Sequence, residues 1–226
     1  MIRAALALAQ ITVFAASSLT DVLPKVDPHA RYSFAGSNTL AVQIQQGAPA
    51  DVFAAANTAL PQQLYEKHLC SKPVVFTRNR LVVVLPRSNP AHIRRVNDLA
   101  RKGVKVVIAG PGAPAGSYTL QVLRNLELSK LVLANVVSRE TDVREVLVKV
   151  VLGEADAGFV YATDAKSVAR EVRTIRIPGS AAPVIQYGMC IVSSSSHKRE
   201  AAGFVKKVLS KAGQAKLRAA GFRPRR

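Results

Sequence analysis

Two serines stand where this sequence is best placed to do chemistry. Ser18 follows the apolar run Ile11-Thr12-Val13-Phe14-Ala15-Ala16, and Ser37 follows Arg31-Tyr32-Ser33-Phe34-Ala35 and Gly36. Each hydroxyl can donate a hydrogen bond, and each lies at the predicted start of a helix. Ser18 and Asp21 have the Ser-x-x-Asp spacing of a capped N-terminus, and Leu40-Ala41-Val42-Gln43-Ile44 has apolar residues at helical spacing. Two further units repeat the scheme. The strand Val104 to Ala109 leads through Gly110-Pro111-Gly112-Ala113-Pro114-Ala115-Gly116-Ser117 into a predicted helix from Tyr118 to Leu128, and Asn135-Val136-Val137-Ser138 leads into Thr141-Asp142-Val143-Arg144-Glu145, where Asp142 and Glu145 have near capping-box spacing. A helix start offers unpaired N–H groups and a dipole end worth roughly half a positive charge, so four converging starts sum to about +2. That matches a dianion, held by neutral donors fixed in the fold with no cationic side chain in contact. The turn Pro114-Ala115-Gly116 lets backbone approach such a ligand closely.

The same residues also read as ordinary caps and turns, and composition narrows the choice by exclusion. There is no Gly-x-Ser-x-Gly elbow, no histidine near these serines in sequence and no paired carboxylates, so no catalytic residue is assigned. Walker-type and dinucleotide-binding glycine motifs are missing. His29, His68, His92 and His197 are scattered without ligand spacing, which argues against a transition-metal cation site. Cys70 and Cys190 belong to no Cys-x-x-Cys; the apolar context of Cys190 reads as a buried structural thiol, whereas pairing would indicate an oxidising compartment. Thirty-two Lys and Arg against 14 Asp and Glu give a net charge of +18, which favours anionic partners. Aromatics at 5% and the absence of Trp or any reading motif argue against nucleic acid. The basic surface is read as solvated, with anion steering or contact with acidic polymers as possible uses, and Arg223-Pro224-Arg225-Arg226 reads as a frayed tail.

The elements that must position these residues follow from length and pattern. At 226 residues, 49% hydrophobic, the chain makes one large domain or two small ones. Its longest apolar stretches, Leu81 to Pro86 and Val146 to Gly153, fall well below the ~18 to 20 residues that span a bilayer. Arg3 and the small apolar residues up to Ala16 look like a signal peptide cleaved before Ser17; alternatively Met1 to Gln10 is an atypical leader and Ile11 to Ala16 the first strand. Strands alternating with helices predict parallel sheets with ligands beyond the strands' carboxyl ends. Two sheets fit better than one. Turn-rich Lys72 to Arg80, before Leu81-Val82-Val83-Val84-Leu85-Pro86, reads as the passage into a second lobe, and Ala181 to Tyr187 as the return. The expected lobes are 1–80 with 187–226, and 81–186. Amphipathic helices at Lys198 to Leu209 and Gln214 to Ala220 are expected to pack back on the first lobe.

Several blocks together resemble the periplasmic molybdate-binding proteins of ABC import systems: Ile11 to Asp21, Ser33 to Leu40, Gln43-Ile44, Gly47 to Phe53, Pro114 to Tyr118, Asp142-Val143-Arg144 and Ala157 to Ala165. The likeness runs from Ile11 to Phe222 and is most specific from Phe34 to Phe53. It implies an α/β, type II periplasmic-binding-protein-like fold: two lobes, each a mixed, mostly parallel sheet flanked by helices, with the ligand in the cleft between them. It implies a monomeric extracytoplasmic receptor that takes molybdate or tungstate as an oxyanion, needs no cofactor, and delivers its cargo to a membrane permease and its ATPase. Carried across, the ligand contacts are Ser18 and Ser37 through hydroxyl and N–H, the N–H groups of Ala115 and Val143, and the Tyr161 hydroxyl. Without the resemblance Tyr161 would read as a strand-end core aromatic. Ser17 stands where the family usually has alanine and is expected to be a neighbour only. A donor-only lining rejects protonated phosphate, pocket size rejects sulfate, and tungstate passes as molybdate does.

The likeness also counts against cleavage before Ser17, which would remove a core strand. The link from Asp21 to Tyr32 is shorter than usual and holds Pro24 and Pro28, so the first helix is expected to be cut to a turn or two. The leader is short for a secretion signal and no lipid-attachment cysteine precedes Ile11. The rival readings are a cytoplasmic oxyanion-sensing regulatory domain of the same fold, and a small enzyme acting on a phosphorylated metabolite.

Overall fold

The computed structural model describes residues 10–225; the leader reading for the first nine residues, and Arg226, lie outside them. The first sheet runs in the order β2-β1-β3-β10-β4, built from β1 (Thr12–Ala16), β2 (Arg31–Ala35), β3 (Val52–Ala55), β4 (Val74–Asn79) and β10 (Ile185–Ile191). The second runs β7-β6-β8-β5-β9, from β5 (Leu81–Pro86), β6 (Val106–Ala109), β7 (Val136–Glu140), β8 (Ala157–Tyr161) and β9 (Val172–Arg176). The two share one plan. Three parallel strands stand at one side, β2-β1-β3 or β7-β6-β8, followed by an antiparallel strand, β10 or β5, and a fifth strand antiparallel to that. β1, β3, β5, β6 and β8 are almost wholly buried, as apolar runs without polar alternation require when helices cover both faces.

The chain crosses from the first sheet to the second at Arg80 alone, between β4 and β5, and returns through 177–184. Lys72 to Arg80, read from sequence as turn-rich, is therefore mostly strand. The polar residues Thr77, Arg78 and Asn79 concealed it, although they pair with Tyr187, Gln186 and Ile185 of β10. Arg223 is likewise no frayed residue: it exchanges N–H and carbonyl with Arg78, at 2.8 and 3.1 Å, and its carbonyl accepts from the Thr77 hydroxyl.

The helices are α1 (Leu23–Val26), α2 (Ser37–Gln45), α3 (Ala59–Glu66), α4 (Pro114–Asn125), α5 (Ser129–Ala134), α6 (Val143–Val151), α7 (Ala162–Ser167), α8 (Lys198–Leu209) and α9 (Lys211–Ala220). α1 is cut to four residues, as the short proline-containing link predicts. α4 begins at Pro114, four residues before the expected Tyr118; proline's fixed φ suits a first helical position. Gly116 makes this early start feasible, because a Cβ there would lie 1.9 Å from the Gly110 carbonyl oxygen. α9 starts at Lys211, where Ser210 caps it by accepting the Gly213 N–H at 3.1 Å.

Cys70 and Cys190 form a disulfide, with Cα atoms 5.9 Å apart. The reading of Cys190 as a lone buried thiol is corrected here. The segment before β4 bridges to the end of β10, Cys70 pairing with Val192, and this brings together two residues separated by 120 positions.

Candidate functional site

Ser18, Ser37, Ala115, Val143 and Tyr161 line one cavity between the two sheets, and each is at most 4% exposed. They share it because each follows the carboxyl end of a parallel strand. Ser18 is in the 3-10 turn Ser17–Leu19 after β1, Ser37 opens α2 after β2, and Ala115 lies in the first turn of α4 after β6. Val143 opens α6 after β7, and Tyr161 ends β8. As first-turn residues, Ser37, Ala115 and Val143 have N–H groups with no intrahelical acceptor. Ser17 also borders the cavity.

The caps differ in part from the sequence reading. Asp142 is an N-cap as expected: its carboxylate accepts the N–H groups of Arg144 at 2.6 Å and Glu145 at 3.3 Å, leaving that of Val143. Ser18 and Ser37 are not caps. Ala16 and Gly36 hold those positions, without a side-chain bond, so both serine hydroxyls are turned to other work. Ser37 Oγ accepts the Ala56 N–H at 3.0 Å, which leaves its own proton to donate. Ser18 Oγ meets the Tyr187 hydroxyl at 2.9 Å, and Asn79 Nδ2 donates to that hydroxyl at 3.3 Å.

The Tyr161 hydroxyl is different: it is buried and, among the described residues, no group meets it with hydrogen-bond geometry. Burial pushes its pKa well above the usual tyrosine value, so it is a neutral donor. The Tyr187 ring packs edge-on against it, centroids 5.6 Å apart. Among the described residues no Lys, Arg or His borders the cavity, and the single acid there, Asp142, is engaged by its own helix. The cavity is about 10 Å³, the scale that holds one water molecule. Such a space has no room for an organic metabolite, and a four-oxygen ion enters only if the lobes part to widen it. Among the described residues no group of three or more His, Cys, Asp or Glu could hold a metal ion.

Sequence reasoning assigned no role to the charged chain behind the cavity. Arg144, next to Val143, pairs with Asp21 and places Nε 3.0 Å from Asp164 Oδ1, close enough for an ion pair although the N–H is not aligned for a hydrogen bond. Asp164 is wholly buried and accepts the Tyr161 N–H at 3.2 Å. Burial pushes its carboxyl up to about 7, against the pull of Arg144. Burial also disfavours the Arg144 charge, but Asp164 and Asp21 more than offset this and hold its pKa above the ordinary value. The only sequence signal was that Arg144 and Asp164 fall inside the blocks carrying the family likeness.

Two α/β lobes with helix N-termini gathered at a small cavity between them define the class: a type II periplasmic-binding-protein fold. The chain belongs to the family described as bacterial extracellular solute-binding protein, whose pattern it matches over residues 11–223. It is 38% identical over 222 residues to the molybdate-binding protein ModA of Mycobacterium tuberculosis, covering 94% of this chain and 84% of that protein. The ModA of Haemophilus influenzae is 34% identical over 231 residues, covering 95% and 90%. Among solved structures, the periplasmic molybdate-binding protein of Azotobacter vinelandii superposes with a TM-score of 0.84 at 23% identity, covering 94% and 98%. That likeness shows the fold alone.

Proposed function

We propose that this protein captures molybdate or tungstate outside the cytoplasm and hands it to the permease and ATPase of an ABC importer, breaking no bond in the process. The observation that carries the reading is the cavity itself: hydroxyl and amide donors from both lobes and, among the described residues, no cation at the lining and no partner of hydrogen-bond geometry for the Tyr161 hydroxyl. An anionic oxygen supplies that missing acceptor. In this reading Ser18 and Ser37 contribute hydroxyl and N–H, Ala115 and Val143 contribute N–H, and Tyr161 contributes its phenol. The named specificity of the Mycobacterium and Haemophilus relatives supports the choice of ion. The expected lobes, 1–80 with 187–226 and 81–186, are taken to swing about Arg80 and the return at 177–184, with Ile185 and Gln186 counted in the first lobe as part of β10.

The chain acts as a monomer without cofactor, nucleic acid or catalysis. The disulfide supports an oxidising, extracytoplasmic setting. Selectivity follows from the donors. The one carboxylate at the cavity, Asp142, is engaged by its own helix, so the O–H of protonated phosphate meets only weak hydroxyl acceptors, and a cavity widened to admit molybdate leaves the smaller sulfate short of donors on one lobe. Titration calorimetry with molybdate, tungstate, sulfate and phosphate tests this: tight, similar binding of the first two is expected, and sulfate binding of comparable strength overturns the reading.

A further inference from the structure

We propose that Arg144 and Asp21 form a latch that holds the lobes closed over the ion, with Arg144 also positioning two of the groups that line the cavity. This inference rests on the oxyanion reading above. Its basis is the reach of one guanidinium. The Arg144 N–H is fixed by Asp142, in the same turn that presents the Val143 N–H. Its side chain lies against Asp164, which in turn holds the Tyr161 N–H. From that anchorage in the second lobe it extends to Asp21 in the first lobe, three residues beyond Ser18. One side chain thus links the backbone at Val143, the strand end at Tyr161 and the segment after Ser18.

The two carboxylates play unequal parts. Asp164 is fully buried, so losing Arg144 would either strand its charge or force it to take up a proton; in the latch Arg144 stays with it whether the lobes are closed or parted. Asp21 keeps 47% of its side chain exposed and can return to water at little cost. Its contact with Arg144 therefore belongs to the closed state and is the part free to switch. The sign of its effect is diagnostic. Asp21 is a negative charge close to an anion site, so by simple repulsion its removal should tighten binding. A latch requires the opposite, because removing Asp21 takes away a contact made only on closure.

The test is Asp21→Asn, read by calorimetry with molybdate and by the melting temperature of the unliganded protein. The expected result is binding about three- to fivefold weaker, the range of a partly exposed ion pair, with the unliganded melting temperature unchanged. In an Arg144→Lys background, where a single ammonium stays with Asp164, the further change to Asn at position 21 should have no effect on affinity. Unchanged or tighter binding by Asp21→Asn overturns the latch, as does an equal loss in both backgrounds. Wild-type protein that binds none of the four oxyanions overturns the solute reading instead, so the two failures are told apart.

Discussion

The two halves of the cavity are built on different terms. On the first lobe the side-chain donors are held by protein partners: Ser18 by Tyr187, and Ser37 by the Ala56 amide whose N–H it accepts. On the second lobe they are amides at the starts of α4 and α6, joined by one phenol with no partner. The first half is thus held in place before any ligand arrives, whereas the second half carries a hydroxyl with no bond of either kind, which a ligand would complete. The helices differ too. α1 has four residues against twelve in α4 and nine in α6, so the dipolar field favouring an anion comes mostly from α2, α4 and α6. A shortened first helix is tolerable for that reason.

Mutations can break or sharpen this contrast. The strongest expected effect is where the halves touch. A Cβ on Gly36 would lie 2.6 Å from the Thr141 carbonyl oxygen across the cleft, so Gly36→Ala should obstruct closure and weaken molybdate binding about a hundredfold or more, while the unliganded protein melts normally. Next come the occupied hydroxyls. Ser37→Ala should cost about ten- to a hundredfold in affinity, the value of a hydrogen bond to a charged group, and should lower stability because the buried Ala56 N–H loses its acceptor.

Tyr161→Phe separates the two halves by sign. Calorimetry should find affinity reduced about tenfold, yet the unliganded melting temperature should hold or rise, since an unpartnered buried hydroxyl has been removed. A fall in that melting temperature would mean the phenol has a structural partner after all. Smallest is Val143→Ala, where the donor is backbone: affinity should stay within about twofold, although trimming a buried side chain lowers stability by about 2 kcal/mol.

Much of the frame was readable because apolar runs are punctuated by Gly, Ser and Asp. The strands before Ser18 and Ser37, the Asp142 cap and the span of α8 stand as the pattern predicts. What escaped depended on partners remote in sequence. Ser18 looked like a cap because its companion Tyr187 lies 169 residues away. The Pro and Gly of 110–117 look like loop until a helix is seen to start among them. Ala115 and Val143 offer backbone donors, so their side chains carry no local signal and only the family likeness singled them out. Arg144 was invisible as a connector because Asp21 and Asp164 come from separate parts of the chain.

The disulfide has a topological result. Cys70 precedes β4 and Cys190 lies in β10, so all five strands of the second sheet fall inside the ring that it closes. A protease that nicks any loop from Arg87 to Pro183 leaves both fragments covalently joined. Such clipped protein runs at full size on a gel without reductant and splits in two only once thiol is added.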